Sequence, residues 1–310
     1  MTIALLCSGQ GHQGPGMFDL VGHGPDVAPL FSHASRWFGS DPRDWVRSAS
    51  DEQLRENAIA QVLCTLHTLA AFAHLAPILG RRCCVAGYSV GEVAAWHVAG
   101  RIGALDALDL TVARASAMNA ASTGQEGMLF VRGVNRRALD ALCAGRDAAV
   151  AIINPGDAYV LAGTADALSA IALDARQAGA ARIVPVPVRV ASHTSRLAAA
   201  VPVFRRALDG VSVSAGMAGR RLVSGIDGAI VLDKRGGLDR LARQIAEPVD
   251  WSACLQACDE AGASAFLELG PGRALSQMAA DAYPLIPSRS IADFRSWEGV
   301  HAWIARVMQN

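Results

Sequence analysis

The sequence predicts an α/β fold, a larger domain on a parallel sheet interrupted by a small α+β unit. Two observations predict it. Strand-like apolar runs alternate with alanine-rich helical stretches along most of the chain. From about Gln125 to Val190 the texture changes to four short strands and two helices, in the β-α-β-β-α-β order of a ferredoxin-like unit. The expected division is a discontinuous larger domain over 1–124 and 191–310, with an inserted ferredoxin-like domain over 125–190. A chain of 310 residues has ample material for that core.

In order, "TIALLC" reads as the first strand, and Gln61 to Leu79 as a long buried helix. "RRCCVAG", starting at Arg81, is a second strand. "SVGEVAAWHVAG" is a helix that Gly100 ends in the position expected of a C-cap. "ALDALDLTVARASAMNAAS" is another helix, with apolar residues three and four apart. The inserted unit supplies strands at "GMLFVRGV", "AAVAIINPG", "AYVLAGT" and "ARIVPVPV", with helices at Arg136–Ala144 and Ala165–Ala178. A late strand follows at "ASAFLELGPG".

Composition excludes several classes. Apolar residues make up 52% and charged residues 18%, which is globular and not disordered. Twenty-eight basic residues balance 28 acidic ones, so no nucleic-acid footprint is expected. The single lysine, Lys234, sits in what reads as a polar loop, "LDKRGG", which argues against Schiff-base or Walker-type chemistry. The seven cysteines include no C-x-x-C pair. No metal site is expected, and scattered reduced thiols fit a cytoplasmic protein. With no basic n-region before it, "IALLC" is expected to be a first strand and not a signal peptide. The longest apolar run carries Gln61, His67, His74 and Pro77, which favours a buried helix over a membrane span.

Gly9, Gly11 and Gly14 spell G-x-G-x-x-G after the first strand. A dinucleotide site needs that turn to open a helix and an acidic residue to end a second strand about 20 residues on. Gly14-Pro15-Gly16 disfavours the helix, and Asp26 lies in no strand. The glycines therefore read as exposed backbone amides at the end of a strand, where α/β sheets place ligands.

Gly87-Tyr88-Ser89-Val90-Gly91 is a G-x-S-x-G between strand and helix, the setting of the nucleophile elbow of α/β-hydrolase-like folds. Ser89 is the candidate nucleophile, and the Val90 amide a candidate oxyanion donor. Of eight histidines, His67, His74 and His97 fall inside helices. His193 follows a strand-like run in a loop at the return from the inserted unit, and is the candidate base.

Together these segments resemble the malonyl-CoA:acyl carrier protein transacylase family, the acyltransferases of fatty-acid and polyketide synthesis. The family's G-Q-G-S-Q resembles Gly9 to Gln13, and its G-H-S-x-G-E resembles Gly87 to Glu92. Its R-x-x-x-M is similar to Arg114 to Met118, and its N-G-P to Asn154-Pro155-Gly156. Its S-H, P-V-x-W and G-P-G match Ser192-His193, Pro248 to Trp251 and Gly270 to Gly272.

The resemblance implies that Ser89 attacks an acyl thioester and His193 takes its proton. Gln10 and Val90 amides would form the oxyanion hole, and Arg114 would hold the malonyl carboxylate, with Met118 and Tyr88 in the substrate pocket. The backbone carbonyl of Asp250 would orient His193. Malonyl-CoA and an acyl carrier protein are the implied substrate and partner, the acceptor being the thiol of the carrier's prosthetic group, with no further cofactor.

Tyr88 stands where the family usually has histidine. G-Y-S-x-G-E in a chain of this length resembles the epsilon subunit of malonate decarboxylase, which loads malonyl onto that enzyme's own carrier protein. The alternatives are the transacylase of fatty-acid or polyketide synthesis, a serine hydrolase or thioesterase, and a carrier-binding module without activity. A hydrolase would run Ser, then Asp or Glu, then a late His, whereas more than a hundred residues follow His193. The arginine pairs at 136–137, 205–206 and 220–221 read as solvated surface pairs.

Overall fold

The computed structural model describes residues 1–80 and 82–309. Among the described residues ten strands form two sheets: β1 (Thr2–Cys7), β2 (Cys83–Gly87), β3 (Glu126–Arg132), β4 (Ala148–Asn154), β5 (Ala158–Thr164), β6 (Arg182–Val186), β7 (Arg220–Leu222), β8 (Val249–Asp250), β9 (Ala263–Glu268) and β10 (Ser288–Ser290). The larger sheet is parallel, in the order β10-β9-β1-β2-β7. Of its central strands, β2 is buried throughout and β1 from Ile3 onward, as strands covered on both faces must be. Cys7 pairs with Gly87, so the glycine turn after β1 and the elbow after β2 leave adjacent strands at the same edge.

The smaller sheet runs β6-β3-β5-β4, antiparallel, the strand order of a ferredoxin-like unit, with β8 added parallel to β4. Alternation divides β3 between two cores. Leu129 and Val131 face a cluster closed by Leu139 and Cys143 of the Arg136–Cys143 helix and by Leu168 and Ile171 of the Ala165–Gln177 helix. Met128 faces the main core, as do Ile152 of β4 and Val160 of β5. The small unit is therefore packed onto the large one, and β8 ties a strand of the large part into its sheet.

The long apolar helix runs Asn57–Leu75, one turn earlier than Gln61 to Leu79. Pro77 has no N–H to extend it. It is long and apolar enough to cross a membrane, and 78% of that stretch is buried inside the protein. The second strand starts at Cys83, and Arg81, with which it was expected to begin, lies outside the described residues, as does Asn310. Gly100 takes φ 77°, just past a helix spanning Gly91–Val98.

One expected loop is a helix. Lys234 opens a helix over Lys234–Arg243, capped by the Asp233 carboxylate on the Gly236 amide at 2.7 Å. Of its glycines, which read as loop-forming, Gly237 meets a packing need: a Cβ there would stand 2.4 Å from Val231 Cγ1 and 3.0 Å from Trp96. This helix delivers Gln244 to the site.

Candidate active site

Ser89 sits at φ 55°, the left-handed backbone that a nucleophile elbow imposes on a non-glycine residue. The flanking glycines make that turn possible. A Cβ on Gly87 would fall 2.2 Å from the Glu92 backbone, and one on Gly91 would fall 2.1 Å from the Cys7 carbonyl oxygen. The same close approach brings the β1 turn against the elbow, since a Cβ on Gly9 would lie 2.8 Å from the Tyr88 carbonyl oxygen. The Gln10 and Val90 amides donate no hydrogen bond among the described residues. Two free N–H groups thus flank Ser89, one beyond each parallel strand, and Val90 adjoins the N-terminus of the Gly91–Val98 helix.

Ser89 Oγ lies 2.8 Å from His193 Nε2. His193 is fully buried and also in left-handed backbone, at φ 63°. Its Nδ1 is 2.5 Å from the Gln244 carbonyl oxygen. A carbonyl only accepts, so Nδ1 carries the proton and Nε2 is left as the base facing the serine hydroxyl. Burial, with Arg114 nearby, pushes the imidazole down to about 3, so it stands neutral across the ordinary pH range.

The carbonyl that orients His193 therefore belongs to Gln244, and the expectation of Asp250 is corrected. Asp250 pairs in β8 with Ile153, and its carboxylate caps the following helix on the Ala253 amide at 2.9 Å. The end of the Lys234–Arg243 helix, not the P-V-x-W strand, reaches the histidine, because His193 N–H also bonds the next carbonyl, that of Ile245, at 2.8 Å.

Arg114 is 1% exposed. Its two Nη atoms donate to neutral amide oxygens, Gln61 Oε1 at 2.6 Å and Gln244 Oε1 at 3.1 Å. Among the described residues its buried Nε has no partner. Burial draws the guanidinium down to about 10, with Glu92 offsetting part of that, so the group remains a cation. A buried cation whose direct partners are neutral is arranged to receive an anion. Met118, one turn along the same helix, is buried and accepts from Gln61 Nε2 through sulfur at 3.4 Å.

Gln244 is the residue the sequence did not single out. Besides its carbonyl on His193 and its Oε1 on Arg114, its Nε2 donates to the Ser89 carbonyl at 3.1 Å and to Glu92 Oε2 at 2.5 Å. No motif marks it, since any residue type carries a backbone carbonyl.

Tyr88 packs edge-on against Trp251, ring centroids 5.4 Å apart, and its hydroxyl lies beside the Asn154 amide. Burial pushes the phenol well up, so it stays protonated. It thus spans from the elbow to the end of β4.

A groove of about 1090 Å³ runs along Asn57, Asn119, Glu126 and Arg189, and a smaller space of about 90 Å³ touches Gln10 and Gly11. Asp51, Arg55, Pro187 and Val188 line both, giving a continuous approach from the surface to the β1 turn. The groove also meets the amide relay behind Arg114. Asn119 accepts from Asn57 at 2.7 Å, and Asn57 accepts from Gln61 at 2.7 Å.

Comparison with known proteins gives a consistent result. Residues 4–284 match the family described as acyl transferase domain. The malonyl CoA-acyl carrier protein transacylase of Mycobacterium tuberculosis is 32% identical over 93% of this chain and 96% of its own. An acyl-carrier-protein S-malonyltransferase from Burkholderia pseudomallei superposes with a TM-score of 0.89 at 29% identity, over 97% of this chain and 100% of that one. A malonyl-transacylase solved in complex with its type II polyketide synthase acyl-carrier protein has a TM-score of 0.89 at 25% identity, over 100% of both chains.

Proposed function

The chain belongs to the acyl transferase domain family, and from that premise we propose that it moves malonyl from malonyl-CoA to the thiol of an acyl carrier protein. One observation carries the reading: a serine hydrogen-bonded to a neutral, oriented histidine stands beside a buried arginine whose direct partners are uncharged. The first pair performs acyl transfer, and the arginine selects an acyl group that ends in a carboxylate.

His193 Nε2 takes the Ser89 proton as Oγ attacks the thioester carbonyl carbon. The oxyanion that forms is met by the Gln10 and Val90 amides, and loss of one such donor typically costs about 10²–10³ in rate. The imidazolium, steadied by the Gln244 carbonyl, returns its proton to the departing CoA sulfur, leaving malonyl on Ser89. The carrier thiol then gives its proton to His193 and attacks the ester carbonyl, and His193 passes that proton to the departing Ser89 Oγ, leaving malonyl on the carrier. Arg114 holds the malonyl carboxylate throughout. The seven free, buried cysteines support a cytoplasmic setting.

The curated relatives favour a general malonyl-CoA:acyl carrier protein transacylase. Tyr88 favours a narrower reading, the loading of the malonate decarboxylase carrier, because G-Y-S-x-G-E resembles the epsilon subunit of that enzyme. Intact-mass measurement with malonyl-CoA and no acceptor tests the main reading. One malonyl adduct is expected on the wild type and none on Ser89→Ala. Continuous release of malonate without an adduct would instead indicate a hydrolase. Offering the loaded enzyme a fatty-acid-type carrier and a malonate decarboxylase carrier separates the two acceptors.

A further inference from the structure

The acyl-transfer scheme gives no role to a buried acid beside the elbow. Glu92 follows the elbow and is 1% exposed. Its Oε2 accepts from the Gly225 amide at 3.1 Å and from Gln244 Nε2 at 2.5 Å, while its Oε1 has no partner among the described residues. The Gln244 side chain is fixed at both ends by chemistry. Arg114 can only donate, so Oε1 must face it; the Ser89 carbonyl can only accept, so Nε2 must face that. Glu92 is the second acceptor on Nε2. The Gln244 backbone is held separately, its amide donating to the Arg240 carbonyl at 2.9 Å and the next carbonyl receiving the His193 amide. Side chain and carbonyl are therefore anchored by different contacts.

We propose that Glu92 is a positioning residue for carboxylate recognition: by holding the Gln244 amide it keeps an acceptor turned to Arg114 and fixes the guanidinium that receives the substrate's carboxylate. It acts through Gln244, and the inference rests on the acyl-transfer reading above. Because the carbonyl on His193 has its own anchors, Glu92 governs substrate affinity and leaves the serine–histidine step largely untouched.

Gly225 supports this from the far side. A Cβ there would stand 2.5 Å from Glu92 Oε2 and 3.0 Å from Gln244 Nε2, so glycine is needed for the amide to reach the carboxyl. The charged and titratable groups facing Glu92 are Arg114, Asp227 from the 225–228 turn and Cys254 from the Trp251–Glu260 helix. Burial pushes Glu92 up to about 7, against the pull of the Gly225 amide, Gln244 and Arg114. Below neutrality it is an uncharged acid. Above neutrality it places a negative charge behind Arg114 and repels a second carboxylate, so malonyl affinity falls as pH rises.

The test measures Ser89 loading by malonyl-CoA and by acetyl-CoA in wild type, Glu92→Ala, Glu92→Gln and Gly225→Ala, at about pH 6 and about pH 8.5. Glu92→Ala should raise KM for malonyl-CoA about tenfold and change kcat less than about threefold, with acetyl loading spared. Glu92→Gln, which keeps an acceptor toward Gln244 and Gly225, should recover most of that affinity and lose the rise in KM with pH. Gly225→Ala should reproduce the KM shift with Glu92 intact. Wild-type malonyl KM in Glu92→Ala would overturn the proposal. So would equal loss of malonyl and acetyl loading in Glu92→Ala and Glu92→Gln alike, which marks fold support only. If the wild type itself takes no malonyl, the acyl-transfer reading fails first, and the inference with it.

Discussion

Replacing Arg114 with alanine separates recognition of the acyl group from the chemistry at the thioester. The guanidinium is 1% exposed, so a carboxylate bound to it is shielded from water. Hydrogen bonds to charged groups contribute about 1.5–3 kcal/mol each. Two of them, partly offset by the cost of taking the carboxylate out of water, leave about 3–4 kcal/mol. At about 1.4 kcal/mol per decade, kcat/KM for malonyl loading should fall by about two to three orders of magnitude. Acetyl carries no carboxylate and should load at a rate within about threefold of the parent. The assay is the rate of adduct formation on Ser89 by rapid quench and intact mass, with both donors in parallel. Arg114→Lys keeps the charge and loses the planar fork, and should fall between the two. Equal loss of malonyl and acetyl loading, in a variant that melts like the parent, would refute the assignment of Arg114 to the carboxylate.

Two further predictions concern the serine and its base. His193 is held neutral down to about 3, so the maximal loading rate should stay level as pH falls through 6.5; a half-loss near that pH, read by single-turnover acylation, would show a solvated histidine. Gly91→Ala drives a Cβ to within 2.1 Å of the Cys7 carbonyl oxygen, and should cost on the order of 3 kcal/mol and displace the elbow. Thermal unfolding within about 2 °C of the parent, with loading intact, would contradict the packing of β2 against β1 described above.

Ser89 and its elbow were legible in the sequence because the turn depends on local geometry. Glycines at 87 and 91 permit one tight turn, and strand and helix on either side of Ser89 fix where it points. The ferredoxin-like order of the inserted unit was legible for a similar reason, since short strands and two helices have few ways to alternate. Arg114 and His193 needed the resemblance in addition, because an arginine on a helix and a histidine in a loop carry no local mark. The Lys234–Arg243 helix was missed because its two glycines mimic a loop, while the reason for Gly237 is Trp96 and Val231 packed against it. Three short helices between Ala28 and Arg55 were likewise unassigned, although Asp41 and Ser50 cap two of them.

By itself, then, the sequence determined the fold class, the elbow and the type of chemistry, all of which follow from periodicity and from what individual side chains can do. Tertiary structure alone decided which carbonyl steadies His193, what surrounds Arg114, and that Glu92 and Gln244 join them. The carbonyl expected from Asp250 belongs to Gln244, six residues earlier. A backbone oxygen has no residue signature, and a buried amide shows its partners only when helices distant in sequence are packed around it.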